Sequence, residues 1–428
     1  MPNARQLHLW PRLHSWRFAL LGATTVLCVL RARDLPAVDL TFGSSQAAVT
    51  PADVAIVALF VVALHALARE RFRGMLPVLG VSALFCLILL GTAARNSSGA
   101  FVSGVKVCEL AALGLGAAAF VRTRADIVAL LEIFVGVAIA ADAYGLWQFL
   151  QNAGGRQASF LGEHDYAALA TLPLVSGLAG LYDDMRSTRA WAATIAGGIG
   201  LILGAALASL AGAYLGVLVL LWFVHERRRF AIPPVLATVA TLALITAATL
   251  VLRAGSLGFL KSWFGQPPSR PGQYASSWSQ RLIYAYIGGR VFVDHPLLGT
   301  GWWGELPPKE FVPYLPDARR RFSDQPARYF PPSDADYIPQ QTYDEILYEL
   351  GLAGGLSFIG MLVGFGRSAL RAAFRGTEVL VSATPVTWFA AMLGALAGEA
   401  FFGGTAVAAL FWLVGGVALG LSRGSDAS

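Results

Sequence analysis

Apolar runs of about twenty residues recur along the chain, separated by short polar or basic stretches. A helix of roughly 20 residues crosses the hydrocarbon core of a bilayer, because each residue advances it about 1.5 Å across about 30 Å. Twelve such runs lie near 18–30, 54–68, 75–94, 100–121, 126–150, 166–182, 190–207, 209–224, 232–252, 345–366, 383–402 and 405–421. The pattern predicts an all-α integral membrane protein with about 12 transmembrane helices. One long polar stretch interrupts it after the ninth run. The expected organisation is therefore helices 1–9 over residues 1–253, a long outer loop over 254–344, and helices 10–12 with a tail over 345–428. Within the loop, Tyr284, Ile287 and Val291 recur at three- and four-residue spacing, the signature of an amphipathic interfacial helix. Pro296 and Gly299 would end it, so the loop is expected to carry short helices.

Composition agrees with the pattern. The chain is 56% hydrophobic and 14% charged, against about 25% charged for a soluble protein. Cys28, Cys86 and Cys108 all fall inside apolar runs, which suggests neither a disulfide framework nor a zinc site. No metal or other cofactor is expected. The first run has a basic leader, no small-residue cleavage site, and Arg31-Ala-Arg33-Asp34 behind it, so it reads as an uncleaved anchor.

Charge sets the expected orientation. With the N-terminus inside, seventeen arginines fall on inner segments, among them Arg69, Arg122, Arg186, Arg227 and Arg367. Only Arg31, Arg33, Arg95 and Arg156 fall on short outer loops. This positive-inside bias places both termini in the cytoplasm and the 254–344 loop outside. Gly- and Ala-rich stretches such as Gly114–Ala119 and Gly197–Gly200 are expected to let helices pack closely in lipid. A charge inside a span costs at least about 2.5–3.5 kcal/mol. Lys106 and Glu109 share a helical face and form an expected ion pair. With Asp142 and Glu399 they fall in the outer half, suggesting a polar cavity open to the outside; Glu132 lies nearer the inner side.

Four outer stretches carry candidate chemistry. The first is Arg156-Gln-Ala-Ser-Phe160-Leu-Gly162-Glu163-His164-Asp165-Tyr166, running into an apolar span. The second is Gly212-Ala-Tyr-Leu-Gly216. The third runs from Arg281 through Asp294-His295-Pro296-Leu-Leu-Gly299-Thr-Gly301. The fourth is Gln340-Gln341-Thr-Tyr343 through Tyr348-Glu349-Leu-Gly351. Together they resemble the O-antigen ligase and polysaccharide polymerase family of bacterial envelopes. The resemblance implies a GT-C-like glycosyltransferase of the inner (cytoplasmic) membrane that uses no metal. It implies transfer of a glycan from an undecaprenyl-pyrophosphate carrier to a lipid or glycan acceptor on the outer face. Partners would then be the lipid-linked glycan, the acceptor and membrane lipids, with no nucleic acid. The sequence departs from the family pattern twice. Ser209-Leu210-Ala211-Gly212 stands where Ser-Arg-Gly is usual, and Gln340-Gln341 where His-Asn is usual. Glutamine cannot serve as a base.

Arg281 is therefore the expected pyrophosphate contact, helped by Arg156 or Arg328, because fixed guanidiniums match phosphate oxygens. Asp336 or His164 is the expected acceptor of the hydroxyl proton, with Gln340 and Tyr343 positioning it. Arg290 and Trp302 complete the candidate set, the latter as a ring for sugar stacking or as an anchor at the membrane interface. Two other readings remain open at this point. One is a protein that binds lipid-linked glycan without catalysis. The other is a secondary transporter, which predicts a two-fold internal similarity that the chain does not display.

Overall fold

A computed structural model describes residues 16–30, 35–42, 45–70, 74–152, 155–227, 229–253, 276–337, 339–374, 378–401 and 405–423. The leader, the first part of the long loop (254–275), and Arg31, Arg33, Arg71, Arg73, Arg228 and Arg375 lie outside these residues.

Every predicted run carries helix. α1 spans Trp16–Val29, α2 Pro51–Arg69, α3 Leu76–Asn96, α4 Ser98–Glu109 and α5 Ala111–Phe120, the last two sharing the fourth run. α6 (Arg124–Gln151), α7 (Glu163–Asp183), α8 (Thr188–Gly204), α9 (Leu207–Glu226) and α10 (Ile232–Leu252) follow. After the polar stretch come α14 (Thr342–Ala373), α15 (Val379–Ala395) and α16 (Thr405–Leu421). Among the described residues seven helices are long and apolar enough to cross a membrane: α2, α3, α4–α5 taken together, α6, α9, α10 and α14. α1, α15 and α16 are shorter apolar helices. The chain is thus a helical membrane protein.

Local chemistry starts these helices where the hydropathy suggests. Thr123 opens α6: its N–H (2.8 Å) and hydroxyl (2.8 Å) both donate to Asp126 three residues on, a capping box that satisfies otherwise orphaned groups. Asp183, at the end of α7, accepts the Val379 (2.9 Å) and Leu380 (2.7 Å) N–H groups. It thereby caps the start of α15 and ties that helix to α7. Small residues govern the helix crossings, as expected in lipid. A methyl on Gly212 would stand 2.3 Å from the Ala391 carbonyl, and one on Gly416 2.1 Å from that of Gly114. The Gly212 motif is therefore the point where α9 meets α15.

Two findings differ from the expectation. Residues Val38–Phe42 (β1) and Ser45–Val49 (β2) form an antiparallel hairpin, where all-α structure was expected. Its alternation of Val38, Leu40 and Phe42 against Asp39 and Thr41 has a period of two, not a helical period. The second difference concerns α11 (Ser276–Asp294) in the outer loop. Ile283, Tyr284, Ile287 and Val291 do share one face, but it is buried in a small protein core with Leu306, Phe311, Leu315, Tyr337 and Tyr348. The stripe packs on the loop's own short helices, α12 (Pro308–Phe311) and α13 (Leu315–Arg321), and on α14.

Candidate functional site

The loop is clamped to the membrane helices by a break in α14. Gly351 has φ 60° and ψ −156°, so α14 is two helices joined at a kink. The backbone groups freed there are taken up by the 296–300 stretch. Thr300 N–H donates to Tyr348 O (3.0 Å), Leu352 N–H to Pro296 O (2.8 Å) and Ala353 N–H to Leu297 O (3.0 Å). Such satisfaction is obligatory where water is excluded. The approach leaves no room for side chains: a Cβ on Gly299 would lie 2.4 Å from the Tyr348 and Glu349 carbonyls, and one on Gly351 2.5 Å from Gly299 N. Both glycines also have positive φ, which L side chains rarely adopt. The fully buried Glu349 carboxylate accepts the Trp303 (2.9 Å) and Gly304 (3.2 Å) N–H groups and extends the clamp. The motif from Pro296 to Gly301 is thus an anchor.

The anchored α11 carries Arg281 to the junction of α14 and α15. Arg281 Nη1 donates to Gln340 O (2.6 Å) and Nη2 to Gly398 O (3.0 Å). Gly398 adjoins His164, whose Nδ1 lies 3.6 Å from the position a Gly398 Cβ would take. His164 stands in the first turn of α7, ahead of the apolar stretch that begins at Tyr166. Its Nδ1 is buried and has no hydrogen-bond partner. Arg156, in the loop before α7, donates through Nε to Gly204 O (3.1 Å) and pairs through Nη2 with Glu163 (2.8 Å). Arg253, at the end of α10, donates through Nη1 to Ala205 O (2.8 Å). The α8–α9 link supplies both carbonyls, and Ala205 holds the turn in a left-handed conformation (φ 44°).

The charges of Arg156, Arg281 and Arg253 all bear on the His164 imidazole. Burial pushes His164 down to about 3, and the charges of Arg156, Arg281 and Arg253 push in the same direction. The imidazole is neutral. Burial also lowers Arg253, to about 10, with Arg156 and Arg281 contributing and Glu163 opposing. Arg281 is lowered by burial and by Arg156, while Glu399 and Asp344 support its charge. Main-chain carbonyls orient all three guanidiniums, and Glu163 pairs with Arg156. The arrangement suits an anion with several oxygens, held beside an unprotonated ring nitrogen.

Not all the candidate residues meet here. Gln340 contributes its carbonyl to Arg281. Tyr343 donates its hydroxyl to Leu393 O (2.7 Å), on α15. Trp302 is fully buried, its indole N–H on Ser103 Oγ (2.9 Å) and its backbone N–H on Thr92 Oγ1 (3.2 Å). Arg290 lies 3.8 Å from Asp317 on the loop's outer surface. Arg328 is exposed and sits over the Tyr329 ring at 5.3 Å. Asp336 is exposed. Arg253 is the residue that sequence reading missed. Its signal was a lone basic residue at the end of an apolar run, directly before the polar stretch. Among the described residues no His/Cys/Asp/Glu group could hold a metal ion.

No curated protein gives a significant match to the chain. Residues 192–359, from within α8 to within α14 and including Arg253, Arg281 and Gln340, match the family model described as O-antigen ligase, which is the match expected of an O-antigen ligase-like family member.

Proposed function

We propose that the chain is a glycosyltransferase of the ligase or polymerase type, with twelve spans in a GT-C-like arrangement, both termini cytoplasmic, and the Arg281 loop on the outer face of a bacterial inner membrane. Its donor is a glycan on undecaprenyl pyrophosphate; its acceptor is a lipid or a second glycan. The observation that carries this reading is the convergence of Arg156, Arg253 and Arg281 on His164 beside the anchored loop.

In this reading the three arginines bind the pyrophosphate oxygens. The acceptor hydroxyl oxygen attacks the anomeric carbon of the donor glycan, and a new C–O bond forms. The bond from that carbon to the carrier breaks, its electron pair leaving on the pyrophosphate, whose added charge the guanidiniums stabilise. The hydroxyl proton passes to a base. His164 is the better placed of the two candidates, since its neutral Nδ1 adjoins the Arg281–Gly398 contact, while Asp336 is exposed on the loop. Binding of the anion offsets the cationic field that weakens the imidazole as a base, so substrate binding itself would raise its proton affinity. Arg253 takes the part for which the family pattern has an arginine after Ser209. Tyr343 and Gln340 act through position, holding α15 and Arg281.

The test is purified protein given lipid-linked glycan and acceptor. Glycosidic product in the wild type, with a loss of roughly 10²–10³-fold in Arg253→Ala and Arg281→Ala, supports transfer. Donor binding with no product in any condition would favour a glycolipid-binding protein instead.

A further inference from the structure

One acid beside the arginines has no part in the transfer described above. Glu399 lies past the end of α15, in the 396–401 link that leads toward α16. The first turn of α14 pins this link at three points. Thr342 N–H donates to Leu396 O (3.1 Å), and its hydroxyl donates to Glu399 O (2.8 Å). Glu345 accepts the Phe401 N–H. Between these points Gly398 O holds Arg281, at 3.0 Å. The backbone that carries Glu399 is therefore tied to the same junction as the guanidinium.

Charged groups from three elements act on the Glu399 carboxylate. Arg281 of α11 and Arg156, before α7, attract it. Asp165, in the first turn of α7, repels it, and Ala400 N–H donates to it. Asp165 is itself held by the start of α16, where Val407 N–H donates to its Oδ1 (3.3 Å). In return Glu399 does more than Asp344 to sustain the charge of Arg281, and stands second to Glu163 in sustaining that of Arg156. His164 and Arg253 complete the ionisable groups around these arginines. Burial and Asp165 raise Glu399 to about 7, against the pull of Arg281 and Arg156.

Two of the three guanidiniums assigned to the pyrophosphate thus already have Glu399 as a resident counter-charge. A carboxylate and a pyrophosphate sharing them would repel each other where water is scarce. A proton on Glu399 removes the repulsion and leaves an O–H able to donate to a phosphate oxygen. We propose that Glu399 couples donor binding to protonation: ionised without donor, it takes up one solvent proton when the pyrophosphate meets Arg156 and Arg281, and donates that O–H to it. One O–H bond forms on Glu399 and no bond of the donor breaks. The proposal rests on the pyrophosphate reading above and adds to it a residue that governs donor affinity.

Isothermal titration calorimetry of the full chain in detergent tests it, with undecaprenyl-pyrophosphate-linked N-acetylglucosamine as the probe. That pyrophosphate is a diester, so its own charge is constant between pH 6 and pH 8. With Glu399 at about 7, Kd should rise about tenfold from pH 6 to pH 8. Heats compared in buffers of different ionisation enthalpy should show about half a proton taken up per donor at pH 7. Glu399→Gln should abolish both effects and bind about tenfold more tightly than the wild type at pH 8. Glu399→Asp keeps a carboxylate and should keep the pH dependence. Wild-type binding that is the same at pH 6 and pH 8, proton uptake that persists in Glu399→Gln, or weaker binding by that variant at pH 8 would overturn the proposal and leave the pyrophosphate reading standing. No binding at any pH would overturn both.

Discussion

Arg281 is held by the main-chain carbonyl of Gln340, at 2.6 Å, and not by its side chain. The consequence concerns the position where the family pattern has a histidine. Gln340→Ala keeps the carbonyl and should retain transfer within about threefold, whereas Arg281→Ala removes the charge and should cost roughly 10²–10³-fold. Transfer assays on the two purified variants check this. Equal losses would mean that the Gln340 side chain takes part directly.

His164 gives a pH signature. Its folded pKa, about 3, is below the ordinary value of 6.5. A depressed folded pKa means that stability is fully present above about 6.5 and is lost as pH falls toward 3, because the unfolded state takes up the proton first. Melting temperature should therefore fall more between pH 7 and pH 4.5 in the wild type than in His164→Asn. Parallel curves would remove His164 from the buried cationic cluster.

The glycines of the clamp are structural. Gly351→Ala combines a positive φ with a Cβ 2.5 Å from Gly299 N. Such strain costs of the order of 1–3 kcal/mol, and relief would require the 296–300 stretch to move. Thermal unfolding in detergent should show a clear drop for Gly351→Ala, with transfer lost as Arg281 is displaced. An unchanged melting temperature would contradict the clamp.

Trp302 behaves in this account as core. Trp302→Ala should destabilise by about 3–5 kcal/mol, lowering the amount of folded protein. Trp302→Phe should largely restore folding and transfer. A normal melting temperature with a raised KM for glycan in Trp302→Ala would instead indicate sugar stacking.

The helical framework was legible in the sequence because lipid imposes one simple rule: apolar runs of fixed length. Among the described residues every one of the twelve runs carries helix, and the O-antigen ligase likeness is met by the match over 192–359, which contains three of its four motifs and begins after the Arg156–Tyr166 one. What the sequence hid depends on long-range closure. The apolar stripe of α11 could face lipid or protein, and periodicity does not distinguish them; Tyr348, fifty-seven residues beyond Val291, supplies the protein partner. Gly299 looked like a helix end and Gly351 lay unmarked inside the tenth apolar run, yet they bring two distant backbones into contact. Spacing gave the Lys106–Glu109 pair, but the nearer partner of Lys106 is Asp53, 53 positions away, and only the fold brings them together. Arg253 joins Arg156 and Arg281 although 97 and 28 positions separate it from them.

The most direct measurement is transfer itself, made with the wild type and an Arg156, Arg253 and Arg281 alanine series. Each uses the same lipid-linked donor and acceptor, with donor binding and glycosidic product recorded in parallel. The account predicts product in the wild type, and in each variant weaker donor binding together with loss of product, greatest for Arg281→Ala. Wild-type rates retained in all three variants would contradict it.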